Sequence, residues 1–211
     1  AAEARFRSAR SREGMGDHER AVTDYLRALS VCPEGDRAPE AAYQAAMSSL
    51  HRLRDREKAI ASLQKVADGY PRSVFAPKAL FQLALLQKDP DASFVEKIFS
   101  SSDPASARAA AASLERLVRD YPRSPEAAGA LIELSRLYGP ERMNQPRKSN
   151  EALQALRERY PATTFPIDYY LAVNYEALGE TKTARELYRK FLSTHPTGRE
   201  AHEAEKKLES L

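Results

Sequence analysis

Four histidines and one cysteine are the side chains best suited to nucleophilic or metal chemistry here: His18, His51, His195, His202 and Cys32. Their spacing argues against both. There is no His-Glu-x-x-His, no Cys-x-x-Cys, and no two histidines lie three or four residues apart, so a zinc site is not encoded in any recognisable form. His195 stands in the slot that Tyr70, Tyr121 and Tyr160 fill elsewhere in the chain, and a packing or turn role is expected for it and for His18. Cys32 has no histidine set against it in a nucleophile pattern, and it is expected to be a small buried hydrophobe. The eight glycines are scattered and form neither Gly-x-x-x-x-Gly-Lys-Ser/Thr nor Gly-x-Gly-x-x-Gly, so no loop is built to cradle phosphate. Acid pairs such as Glu203/Glu205 and Asp89/Asp91 read as solvated charge on helix surfaces. No catalytic residue, cofactor or metal is therefore expected, and the chain is not expected to be an enzyme.

The elements that carry these residues belong to a folded chain. In 211 residues, hydrophobic side chains make up 42% and charged ones 30%, which excludes collagen-like, low-complexity and disordered classes. The most apolar run, Ala79–Leu86, is interrupted by Gln82 and falls far short of the ~18 residues a membrane span needs. A net charge of +3 arises from 33 basic and 30 acidic residues interleaved along the chain. Nucleic acid is not expected as a partner, because phosphate binding needs basic residues gathered on one face. A binder of some other anionic polymer would need the same gathering of its arginines. One cysteine excludes an internal disulfide. An opening on Ala1 rather than Met fits a removed leader or signal peptide, and equally a trimmed chain.

A residue pair ending in proline recurs as Cys32-Pro33, Tyr70-Pro71, Tyr121-Pro122, Tyr160-Pro161 and His195-Pro196, at spacings of 38, 51, 39 and 35 residues. Each proline follows a stretch of helical period. Before Pro196 the apolar set is Ala184, Leu187, Tyr188, Phe191 and Leu192, an i, i+3, i+4, i+7, i+8 stripe. Proline cannot continue a helix and disfavours α geometry in the residue before it, so each one marks a stop. A second helix then begins, as at Ser124-Pro125-Glu126, with Ser124 expected as the N-cap and Pro125 at the first helical position. This pattern predicts helices near 2–13, 18–32, 38–52, 55–69, 74–88, 104–120, 124–138, 148–159, 165–178, 181–194 and 198–210. The long interval is expected to hold an insertion, Asp89–Asp103, lying outside the repeat stack. A smaller insertion is expected at Gly139–Arg147.

The repeating unit of helix, turn, helix and Pro-marked turn resembles the tetratricopeptide repeat. Leu171, Ala172, Tyr175, Gly179, Ala184, Tyr188 and Pro196 match its signature, and Gly16, Ala21, Tyr25, Ala28 and Pro33 match its second half. The resemblance implies an all-α, right-handed α-solenoid of about five such helix hairpins plus a C-terminal capping helix. The units would span about 2–34, 38–72, 74–123, 124–162 and 165–197, with a polar cap at 198–211, all in a single domain covering 1–211. Ala172 is expected at a crossing of helices A and B, where a small side chain lets two backbones approach. The wording Tyr70-Pro-Arg-Ser and Tyr121-Pro-Arg-Ser, each leading into Ala-x-x-Ala-Leu, is similar to repeats of bacterial cell-envelope proteins. These include the lipoprotein component of outer-membrane β-barrel assembly and the periplasmic partner of the Tol–Pal system. The resemblance implies a periplasmic or outer-membrane location, with a cytoplasmic one as the alternative. The acylated N-terminal cysteine of such a lipoprotein is absent here, so a lipid anchor would lie outside this chain.

In this repeat family helix A lines the concave face of the superhelix. Carried over position by position, the resemblance implies a partner-binding groove of Phe6, Arg10, Gln44, Ser48, Phe81, Leu85, Ile132, Arg136, Tyr169 and Val173. Apolar and aromatic residues with interspersed arginines suit an extended peptide or a helix laid into a groove. The same residues equally suit the packed core of a tightly wound solenoid, and the pattern leaves both readings open. The expected function is protein binding without catalysis, as a scaffold in the bacterial envelope. The alternative is an accessory or regulatory domain of a larger enzyme or secretion machine.

Overall fold

The computed structural model describes residues 1–88 and 104–211. The expected insertion at Asp89–Asp103 lies outside the described residues. Among the described residues there are eleven helices and no strand. They are α1 (Ala2–Gly14), α2 (His18–Val31), α3 (Ala38–His51), α4 (Arg56–Gly69), α5 (Phe75–Lys88), α6 (Pro104–Asp120), α7 (Glu126–Tyr138), α8 (Pro146–Arg159), α9 (Ile167–Ala177), α10 (Thr181–Thr194) and α11 (Arg199–Ser210). Each helix packs on the next in chain order, so the architecture is an α-solenoid. Beyond these sequential contacts, α3 also touches α5, and α5 touches α7. These are the first helices of successive hairpins, and their mutual contact puts them on the inner side of the curve.

Packing is close because alanine occupies the crossings. Ala9 on α1 and Ala21 on α2 are wholly buried, as are Ala172 on α9 and Ala184 on α10. Ala172 and Ala184 share a cluster with Tyr188, Phe191, Ala201 and Ala204, which joins α11 to the last hairpin. Between the two helices of a hairpin the chain must reverse. The residue just before the second helix's N-cap does so with positive φ at Gly16 (81°), Arg54 (54°), Asn144 (49°) and Gly179 (78°). Two of these turns are followed by an aspartate cap: Asp17 accepts from the Arg20 N–H and Asp55 from the Lys58 N–H.

The Tyr-Pro stops are β-turns that also join neighbouring hairpins. The Ser73 N–H donates to the Tyr70 carbonyl at 3.0 Å, and Ser124 to Tyr121 and Thr163 to Tyr160 do the same. Proline at the second turn position has its φ already set for this geometry. Each tyrosine hydroxyl then reaches back one unit to the carbonyl of the preceding proline. Tyr70 donates to Pro33 at 2.9 Å, Tyr121 to Pro71 at 2.6 Å and Tyr160 to Pro122 at 3.1 Å.

Two expectations need correction, and one helix start shifts. Cys32 is exposed. It occupies the first slot of this ladder, where no described turn precedes it and nothing covers it. Ser124 is not the N-cap of α7: the helix begins at Glu126 behind Pro125, and the Ser124 hydroxyl is buried without a partner. The segment Gly139–Arg147 supplies the connection 139–145 between α7 and α8, longer than 15–17, 52–55 and 178–180 in the other described hairpins. Met143 and Gln145 donate backbone bonds to Leu137 and Tyr138 at 3.0 and 2.8 Å, and α8 starts at Pro146, two residues before the expected position.

Candidate functional site

All ten residues implied as a groove lie on the first helices of their hairpins, α1, α3, α5, α7 and α9, but they divide by burial. Phe6, Ser48 and Tyr169 are buried. Phe6 packs edge-on to Tyr25 at 5.6 Å, and the Arg37 guanidinium lies over its ring. Ser48 donates to the Glu13 carboxylate, which also accepts from Tyr25. Phe6 and Ser48 are therefore packing residues, not an open surface. Helices α1 and α3 both pack on α2, whose Tyr25 covers Phe6.

The remaining seven stay accessible. Gln44, Phe81, Leu85, Ile132 and Val173 are half-buried, and Arg10 and Arg136 are exposed. Phe81 bridges α5 and α7 by lying against Gly129, where a Cβ would come within 3.2 Å of its ring. Arg136 is fixed by Glu133 at 3.1 Å and by the Phe165 ring 5.3 Å from its guanidinium carbon. Phe165 in turn stacks on Tyr170 at 4.8 Å.

The structure gathers three of the ten around one cleft of about 370 Å³ between α7, α9 and α11. Arg136, Tyr169 and Val173 line it, with Gly139–Arg142 and Tyr170 at the rim and Arg199, Glu200, Glu203 and Lys207 contributed by α11. Tyr169 sits with its ring among Tyr170, Tyr188 and Phe191. Burial raises its hydroxyl pKa above the ordinary tyrosine value, and the charges of Glu203, Glu200 and Glu141 push the same way. Several cations of the cleft are already matched: Lys88 to Glu133 at 2.7 Å, Arg136 to Glu133, and Lys207 to Glu176 at 2.7 Å.

Beneath this cleft is a polar network that residue patterns did not reveal. The Asn174 amide donates to Ser149 Oγ at 2.7 Å and to Asn150 Oδ1 at 2.8 Å, and Ser149 donates to the Ser135 carbonyl at 2.7 Å. The bonds tie α7, α8 and α9 together and fix the cleft's floor, since Asn174 and Ser135 both line it. Single Ser and Asn residues on helices carry no sequence signal that distinguishes such a network from solvated side chains. The histidines remain dispersed. His195 stacks on Phe191 at 4.9 Å, His18 opens α2, and no group of three metal-ligating side chains occurs among the described residues.

Comparison with known proteins places this geometry. The family model described as outer membrane lipoprotein, YfiO, matches residues 2–138, and a tetratricopeptide repeat model matches residues 168–198. No curated protein matches the sequence. Among solved structures, the chain is similar to YrrB, described as a tetratricopeptide protein with an unusual peptide-binding site. The TM-score is 0.64 at 17% identity, covering 98% of this chain and 92% of that one. A tetratricopeptide protein from Parabacteroides merdae superposes with a TM-score of 0.63 at 14% identity, covering 98% and 72%. PilW, described as a widely conserved type IV pilus biogenesis factor, gives 0.51 at 16% identity, covering 94% and 96%. At these identities the structural likeness establishes the fold.

Proposed function

The chain belongs to the outer membrane lipoprotein family YfiO, and from that premise we propose that it is a non-catalytic protein-binding scaffold of the bacterial envelope. Its place would be the periplasm or the periplasmic side of the outer membrane. No helix among the described residues is long and apolar enough to cross a membrane, so attachment would come from a lipid anchor outside this chain or from a partner. The bound partner is a protein segment, extended or helical, laid along the inner face of the solenoid. One observation carries this reading: the accessible apolar residues Phe81, Leu85, Ile132 and Val173 lie on the first helices of three successive hairpins, with the exposed Arg136 among them on α7.

The mechanism is mass action on a preformed surface. Stacked hairpins hold the groove in place, so ordering costs fall mainly on the incoming segment. Aromatic and arginine side chains are the usual carriers of interface energy, and truncating a true anchor costs at least ~2 kcal/mol of affinity. The test is to make Arg136→Glu and Val173→Asp and follow both thermal stability and partner recovery from the envelope of the native host. The reading expects partner recovery to fall while the melting curve is kept. Full recovery by both variants with unchanged stability would move the site to the outer helices.

A further inference from the structure

We propose that the outer face of α10, extended by α8, lies on an anionic phospholipid surface and so turns the inner face of the solenoid away from the membrane. This deepens the scaffold reading and rests on its envelope location. The supporting observation is a sorting of charge that the linear sequence hides. Cations and carboxylates alternate along a chain of net charge +3, yet folding gathers an excess of cations on the last two outer helices. α10 holds Lys182, Arg185, Arg189 and Lys190 against Glu186. α8 holds Arg147, Lys148, Arg157 and Arg159 against Glu151 and Glu158. With Asp168 at the start of α9 and Glu180 before α10 included, cations still lead by eight to five. The inner helix between them is of opposite sign, since α9 carries Asp168 and Glu176 and neither lysine nor arginine.

Ala184, Tyr188 and Phe191 form the buried stripe of α10. By helical period Lys182, Glu186 and Arg189 fall on the opposite side, where all three are exposed. Arg157 and Lys190 share Asp168, and Lys148 lies over the Tyr138 ring. Arg147, Arg159, Lys182, Arg185 and Arg189 form no ion pair among the described residues. Cations without a local counter-charge project their field outward, where it draws an anionic surface. The face is also free of apolar anchors. The exposed large apolar side chains, Met15, Leu26, Val31 and Val74, all lie on other elements. A docked protein would lack the apolar centre that such interfaces bury, whereas headgroup phosphates require only cations at the surface. A basic face of this kind adds to a lipid anchor and does not replace it.

The test sediments the full chain with vesicles of phosphatidylcholine alone and of phosphatidylcholine mixed equally with phosphatidylglycerol. The proposal expects binding to the mixed vesicles only. That binding should weaken at least ~tenfold between ~0.01 M and ~0.15 M salt, as the Debye length shrinks from ~30 to ~8 Å. Lys182→Glu combined with Arg189→Glu should cost at least ~tenfold in binding at a fixed salt, with the helical circular dichroism unchanged. Arg5→Glu combined with Arg27→Glu changes the net charge equally, at exposed positions of the first hairpin. That pair should cost no more than ~twofold, because the field is local. Equal losses from the two pairs would show that net charge and not this face drives binding, and would overturn the proposal. Absence of binding to the mixed vesicles overturns it as well. Tighter binding of poly-glutamate or duplex DNA than of the mixed vesicles would assign the face to another polyanion, against the membrane proposed here. None of these failures bears on the groove, since the scaffold reading is decided separately by partner recovery with the Arg136 and Val173 variants.

Discussion

The Tyr121 hydroxyl donates to the Pro71 carbonyl 2.6 Å away and fifty positions earlier in the chain, so the residue that ends one hairpin is tied to the turn that ended the previous one. Tyr70 and Tyr160 repeat the relationship with Pro33 and Pro122. Tyr121→Phe removes this bond and leaves the ring in place. Because the accepting carbonyl lies beside exposed Pro71 and can rehydrate, the loss should be about 0.5–1.5 kcal/mol. Urea unfolding of wild type and variant checks it, and a loss of several kcal/mol would mean the ring itself has moved.

Arg54 occupies the left-handed turn position with φ of 54°, the place held by Gly16 and Gly179 in the first and last hairpins. A Cβ is unfavourable in that conformation. Arg54→Gly should therefore stabilise the protein, by up to about 1 kcal/mol once the greater freedom of glycine in the unfolded chain is included. A raised melting temperature is the expected result.

Ala172 is wholly buried between Tyr169, Ala184 and Tyr188. Ala172→Leu adds three carbons where α9 meets α10 and should cost about 1–3 kcal/mol. An unchanged thermal melt would show that the crossing has spare room.

Tyr188 is fully buried and donates to Glu176 at 2.9 Å. Burial, then the hydrogen bond and charge of Glu176, raise its pKa well above the ordinary 10.0. A folded-state pKa above the unfolded value contributes stability that is complete below the unfolded value and is lost as pH rises past it. Stability should thus decline between about pH 9 and pH 11. Tyr188→Phe should make that alkaline decline shallower, as read from urea midpoints across the range. Tyr25, bonded to Glu13 in the first hairpin, carries a shift of the same direction and causes, so the decline is reduced rather than abolished.

The sequence alone located the helices closely because proline and the apolar period act locally. A stop at Tyr160-Pro161 needs no tertiary information, and α8 ends at Arg159 as the pattern predicts. Facing was harder to read. Phe6 and Tyr169 occupy positions of the repeat that line a groove, yet their exposure depends on how neighbouring helices close over them. At Phe6, Tyr25 and Arg37 do so. Cys32 shows the converse, since Tyr70, Tyr121 and Tyr160 in the same slot are half-buried and reach the turn before them, a contact a cysteine is too short to make. The Asn174–Ser149–Asn150 network was invisible for the same reason: its meaning lies in burial, which composition does not report.

The most direct measurement is site-specific photo-crosslinking of the chain in its native host. Benzoylphenylalanine would be placed at Gln44, Arg136 and Val173 on the inner helices and at Lys65, Arg119 and Arg189 on the exposed sides of the outer ones. A scaffold that binds along its inner face predicts covalent adducts of the same envelope protein from the first three positions and none from the second three. Adducts formed only from Lys65, Arg119 and Arg189 would contradict it.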